Sequence, residues 1–494
     1  MSERKERGVV LPEGYTGSSL FHRVLVEAAE SFPDVLAAAR LPETPGAFKR
    51  EYGAALARFE AERAASPRRV EIARFIAQRT QQALMYQGDA GVLPLVEHMA
   101  RRLPLPELHA RPLSGSVGIR AEVPFDGQLY RGREVIELAE RLHAESQLTS
   151  QVVDALRFMV EQIEARGGAL DLRGERFVIL GAGAELAPTR LLLQAGASVL
   201  WVDVAEPEQV LADASALAGT LVQTPSARNL LEAPAEIAAA VTAFAASGPV
   251  HIATFAYASG ASREWRLGAA MNAIVTSLPP TLVRSVSLLV SPTTCATIQP
   301  ECAAAAERAF AERPAWQSAL HRIGLLPAPG HHQAHGVRIG LCTVSIQGVS
   351  YQAAQYISKL ASAETYALHG IDLGASTPQP VTVSANVAGI TRTRSLSHPL
   401  FEAAFIGAPR FSVRIFDPPT TRALSGLLIL HDLLNPAAPG AAAVQNSDPR
   451  QKAFALFSQQ VHGGIYSLPY VLDHAIRAAA VIGMASKPSL LLRR

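Results

Sequence analysis

One segment constrains the fold more than any other: Phe177-Val-Ile-Leu-Gly181-Ala-Gly183-Ala-Glu-Leu186-Ala-Pro-Thr-Arg-Leu-Leu-Leu-Gln-Ala-Gly196-Ala-Ser-Val-Leu-Trp-Val-Asp203. An apolar run enters Gly-x-Gly, a helix-forming stretch follows, and a second apolar run ends on an acid. Buried parallel strands are continuously apolar, and a strand–turn–helix–strand unit joins two of them. The expected fold is therefore α/β, with a Rossmann-type doubly wound parallel sheet. Gly181 permits the tight turn, Gly183 lets a pyrophosphate approach the backbone, and helix N-terminal amides receive its charge. Asp203 lies 20 residues past Gly183, where a carboxylate accepts from both adenosine ribose hydroxyls and repels a 2′-phosphate. NAD(H) is thus favoured over NADP(H). Leu186 replaces the third glycine of the motif, so helix–strand packing must be reached differently there. The competing reading is a sheet of this shape without a ligand, Asp203 only capping a loop.

The alternation continues downstream. Val250–Tyr257, Ser285–Val290 and Val381–Val387 read as strands, and Gln352–His369, Pro418–Leu434 and Val461–Met484 as helices. Upstream, Glu51–Arg63 and Val70–Tyr86 have helix-forming composition. Val152, Val153, Leu156, Met159, Val160 and Ile163 share one helical stripe, which Gly167-Gly168 ends. This divides the chain into a mainly helical N-terminal domain, 1–170, and a catalytic domain, 171–470, with an insertion near 297–340. A helical C-terminal extension, 471–494, follows.

Several segments, in order, resemble the short-chain dehydrogenase/reductase family. Ser262-Arg-Glu-Trp265-Arg-Leu-Gly-Ala-Ala-Met-Asn272 is similar to its asparagine-bearing helix, and Ser285-Val-Ser-Leu-Leu-Val-Ser291-Pro-Thr293-Thr294 to the strand ending at its serine. Tyr356-Ile-Ser-Lys359 resembles its tyrosine–lysine helix. Pro380-Val-Thr-Val-Ser-Ala-Asn386-Val-Ala-Gly389-Ile-Thr391-Arg-Thr393 resembles the strand and turn that follow. The resemblance spans roughly 173–470. It implies a tyrosine proton donor, a lysine that lowers its pKa and holds the nicotinamide ribose, and a serine orienting the carbonyl oxygen. It also implies that Asn272 holds a water serving Lys359, and that Thr391 or Thr393 sits near the cofactor carboxamide.

The departures concern the donor. The family spaces tyrosine and lysine four apart, whereas Tyr356 and Lys359 are three apart, still on one helical face. Tyr351, eight residues before Lys359, is the other candidate, a spacing reminiscent of enoyl reductases. The shorter separation favours Tyr356, while ordinary helix surface is the bland reading of both. Hydride transfer to a carbonyl leaves an alkoxide that needs a proton donor within hydrogen-bond reach. The expected function is therefore an NAD(P)-dependent oxidoreductase acting on a carbonyl or imine of a small organic substrate. The alternatives are an enoyl-type reductase and a non-catalytic nucleotide-binding or scaffold protein.

Composition excludes other classes. With 494 residues, 49% hydrophobic and 18% charged, the chain is too long for one ordinary domain and too apolar to be disordered. Lys plus Arg is 45 against 43 for Asp plus Glu, which gives no basis for a nucleic-acid partner. The longest uncharged stretch, Ile237–Ser262, is broken by Ser247-Gly248-Pro249 and reads as soluble core, so no membrane partner is expected. The opening MSERKERGVVLPEGYTG has no apolar stretch, and a cytoplasmic location is the expectation. Cys295, Cys302 and Cys342 form no metal or disulfide pattern, and His331, His332 and His335 read as solvated loop residues. No metal is expected, and a homo-oligomer is left open.

Overall fold

The computed structural model describes residues 7–258, 260, 262–365, 381–396, 398–440 and 455–489. The end of the helix read over Gln352–His369, from residue 366 on, lies outside them, as does Pro380.

Three short strands, β1 (Gly8–Val10), β2 (Met85–Gly88) and β3 (Gly91–Pro94), form an antiparallel sheet near the chain start. The helices Gly17–Ser31, Pro45–Ala65 and Arg69–Ala83 lie between β1 and β2. Thr16 and Thr44 cap the first two through their hydroxyls, each accepting from the amide three residues on. β4 (His109–Pro112) follows, then the hairpin β5 (Glu122–Phe125) and β6 (Gln128–Arg131), then the helices Arg133–Ala144 and Ser150–Ala165.

The main sheet has seven strands. β7 (Arg176–Leu180), β8 (Ser198–Val202), β9 (Thr220–Gln223), β10 (Val250–Thr254), β11 (Val283–Val290) and β14 (Thr382–Val387) are parallel, and β4 runs antiparallel along β9. The order is β14-β11-β10-β7-β8-β9-β4. The chain moves outward one way from β7 through β8 and β9, then crosses back to β10 and proceeds the other way. Alternate residues divide between two buried faces. Val178, Leu180, Leu200 and Val202 join one core, and Phe177, Ile179, Val199 and Trp201 the other. Burial on both faces is what made these runs continuously apolar.

Residues on both sides of position 170 build the same fabric. β4 supplies the edge of the main sheet, and the helices of 17–83 share a core with Trp265, Ala269, Val349 and Tyr356. The helix Leu472–Ser486 packs on Pro399–Gly407.

Two element expectations change. The helix read over Val461–Met484 starts only at Leu472, because Gly463 and Gly464 adopt φ of +61° and +91° and Pro469 follows. The histidine loop at 331–335 is a hairpin, β12 (His331–Ala334) with β13 (Val337–Gly340), and His335 Nε2 lies 2.8 Å from Glu62 Oε2. Among the described residues no group of three or more His, Cys, Asp or Glu side chains could hold a metal, and no helix is long and apolar enough to cross a membrane. All three cysteines are buried free thiols.

Candidate active site

A cleft of 1480 Å³ opens at the carboxyl ends of β7, β8, β10, β11 and β14. Its position follows from the strand order, because loops leaving β7 and β10 diverge to opposite faces and leave a crevice between them. Gly181, Asp203, Thr254, Ser291 and Gly389 line its floor, and the β2–β3 turn with Asp89 reaches its rim.

The glycine turn closes one end. Gly181 has φ +93°, and a Cβ there would lie 2.3 Å from the Ala256 amide nitrogen, so no other residue fits. The Gly183 amide donates to Asp203 Oδ2 at 2.9 Å, and the Ala205 amide to Oδ1 at 2.9 Å. A Cβ on Gly183 would come within 3.3 Å of the Asp203 carboxyl and of Trp201. Asp203 therefore holds the turn as well as facing the cleft. Leu186 lines the same wall. Contrary to the sequence expectation, no helix begins at the glycines. The chain makes successive turns to Pro188, and the helix Thr189–Gln194 has only six residues. Pro188 and the bond from Thr189 Oγ1 to the Ala182 carbonyl, 2.7 Å, fix that later start. Glu185 lines the cleft and accepts from the Arg394 amide at 3.1 Å.

The other end carries a hydroxyl cluster. The Ser291 amide, just past β11, donates to Gln355 Oε1 at 2.9 Å. Ser291 Oγ lies 2.8 Å from Thr293 Oγ1, which donates to Gln347 Oε1 at 2.8 Å. Tyr351 lines the cleft beside this pair, and burial raises the pKa of its phenol against the lowering influence of Ser291 and Thr293. Thr391 lines the cleft, but its hydroxyl is engaged by the Gly389 carbonyl at 2.8 Å and by Thr421 at 2.6 Å.

Tyr356, Lys359 and Asn272 are not in the cleft lining, which corrects the preference for Tyr356. On the helix Gly348–Ser358 the cleft-lining stripe is Tyr351, Ala354, Gln355 and Ser358. At 100° per residue Tyr356 is about 140° around the helix from Tyr351, so the two tyrosines face different neighbours. Tyr356, fully buried, donates to Glu60 Oε2 at 2.7 Å. Lys359 Nζ donates to Glu60 Oε1 at 2.8 Å and to the Cys295 carbonyl at 2.9 Å. Arg63 chelates Glu60 and also binds Glu364. Burial works to raise the Glu60 pKa, yet Arg63 and Lys359 overcome it and hold the carboxyl well below its ordinary value. Burial and Glu60 push the Tyr356 phenol far up. Asn272 ties two helices together, donating to Ser358 Oγ at 3.3 Å and accepting from Ser362 Oγ at 2.7 Å.

Sequence reasoning missed Gln347, Gln355 and Arg228. The two glutamines lie four residues on either side of Tyr351, a helical-stripe signal that was present. Arg228 donates to the Asp203 carbonyl at 3.1 Å and pairs with Glu206 at 2.6 Å, and nothing local announces it. Comparisons with protein-family models, curated proteins and solved structures find no match to this chain.

Proposed function

We propose that the chain is an NAD(H)-dependent oxidoreductase of short-chain-reductase type, acting on a carbonyl or imine, on a Rossmann-type sheet with a helical N-terminal domain. One observation carries the reading: the Gly181–Gly183 turn, latched to Asp203, sits where the strand order reverses, at the mouth of the cleft. That order, with β7 central and β8, β9 and β10, β11, β14 to either side, is the one expected of a dinucleotide-binding sheet. The residues present fit the group, since a side chain is excluded at Gly181 and tightly confined at Gly183, and the Glu185 and Leu186 amides make no hydrogen bond among the described residues. Those amides would meet the pyrophosphate, and the free lone pairs of Asp203 the ribose diol. NADH, when bound, would supply a hydride for the carbonyl carbon. Ser291 and Thr293 orient the carbonyl oxygen, and Tyr351 gives it a proton, so that C=O becomes an alcohol and the phenolate is left to reprotonate. Tyr351 also suits the enoyl-type alternative, in which it would protonate an enolate.

A second reading has its own support. Lys359 is sequestered by Glu60, and no lysine lines the cleft among the described residues, which favours a nucleotide-binding protein without turnover.

Titrating the purified protein with NADH and NADPH, followed by fluorescence, tests the binding. NADH is expected to bind more tightly, and Asp203→Ala to cost it about 1–3 kcal/mol from lost charge-assisted hydrogen bonds, while NADPH affinity holds or improves. Binding of neither cofactor, or a wild-type preference for NADPH, overturns the proposal. Turnover across a carbonyl panel then separates the enzyme from the non-catalytic reading.

A further inference from the structure

The cleft adjoins a second space. Thr293, Gln347, Ile390 and Leu396 line both the cleft and a smaller chamber of 60 Å³. The chamber lies between the helices Pro399–Gly407 and Leu472–Ser486 and the segment 408–415, with Phe401, Phe405, Phe411, Ile465 and Ala475 in its wall. Among the described residues, every lining side chain apart from Thr293 and Gln347 at the neck is apolar. Water gains little there, because an ordered water needs two to four polar partners. The polar side chains stop at the neck, where Thr293 also belongs to the Ser291–Tyr351 hydroxyl cluster.

We infer that the substrate is an amphipathic carbonyl compound whose oxygen meets the Ser291, Thr293 and Tyr351 hydroxyls and whose unbranched apolar tail enters this chamber. At about 10–15 Å³ per water-sized group, the chamber takes a tail of about four to six carbons. No described residue of its wall could pair with a charge, so a tail ending in a carboxylate or ammonium is disfavoured on desolvation grounds. The inference rests on the oxidoreductase reading for the identity of the polar head, while the chamber itself does not depend on the cofactor.

Calorimetric titration of the full chain with 2-butanone, 2-hexanone, 2-octanone and 2-decanone tests it, with NADH binding measured separately. Affinity should rise by about fourfold per methylene while the tail is being buried and level off at 2-octanone. Ala475→Leu, which fills the chamber, should move the plateau to shorter ketones, and Phe405→Leu, which enlarges it, to longer ones. Misfolding cannot produce shifts of opposite sign. A flat series, or a plateau that neither variant moves, overturns the chamber assignment even if NADH binds. The stated profile without NADH binding upholds the chamber and overturns the oxidoreductase reading instead.

Discussion

Tyr351 and Tyr356 sit five residues apart on one helix and meet opposite surroundings. The first touches hydroxyls at the cleft, the second a buried carboxylate. Tyr351→Phe should slow turnover by roughly 10²–10⁴, the usual range for loss of a general acid, with NADH affinity unchanged. Tyr356→Phe should leave turnover per folded molecule intact but cost about 1.5–3 kcal/mol of stability, the worth of a hydrogen bond to a charged group, read as a lower Tm. The reverse ranking in turnover would return the donor role to Tyr356. The strands flanking the glycine turn were legible because their pattern is local, whereas the bond from the Gly183 amide to Asp203, 20 residues on, was not read from the sequence. The tyrosines were not legible either, because what captures Tyr356 is Glu60, 296 positions away. Helical spacing showed that Tyr356 and Lys359 share a face, and nothing in it said which way that face turned.

The helix Pro45–Ala65 shows the same limit at the scale of an element. Its Ala-, Glu- and Arg-rich composition is that of an exposed helix, yet Glu60 and Arg63 are as buried as Leu56 and Phe59. They are tolerated because each charge is matched, Glu60 by Arg63 and Lys359, and Arg63 by Glu364. Removing one partner of such a network leaves another charge buried and unpaired, so Glu60→Gln should destabilise by about 3–5 kcal/mol at neutral pH. The pH dependence has a definite sign. Glu60 and Glu364 have carboxyl pKa values lowered in the folded state, so both contribute stability that is present above the unfolded value, about 4.3, and lost as pH falls below it. Calorimetry from pH 6 to pH 2 should show a steep fall in Tm for the wild type and a shallower one for Glu60→Gln. Parallel slopes would mean that Glu60 is not ionised in the fold. By contrast, Ser198–Val202 and Pro418–Leu434 fall where the sequence placed them, the first bounded by turn residues and the second started by Pro418. The hairpin at His331 escaped notice because its strands are only four residues long and the first, His331–Ala334, is largely polar.

Across the whole molecule, the alternation from Arg173 onward made an α/β sheet legible, whereas the place of the N-terminal helices was not. Their apolar stripes were plain, but the surface that covers them comes from Trp265, Ala269, Val349 and Tyr356, far along the chain. A chain beginning after residue 102 would expose that surface together with Lys359, stripped of its carboxylate. It should aggregate or melt at a much lower temperature, checked by gel filtration and thermal unfolding. A soluble truncated protein with an unchanged Tm would show that the shared core contributes little.

That shared core also imposes an order on synthesis. Ala65 leaves the ribosome nearly 300 residues before Ser358, and at about 5–20 residues per second the early helices wait on the order of 15–60 s for the surface that buries them. During that interval Glu60 and Arg63 have each other, three residues apart, but not Lys359 or Glu364. A pair of opposite charges set among the apolar side chains keeps the nascent stripe hydrated until its partner arrives. The ion network is thus completed only when the distant Lys359 and Glu364 join the local Glu60–Arg63 pair.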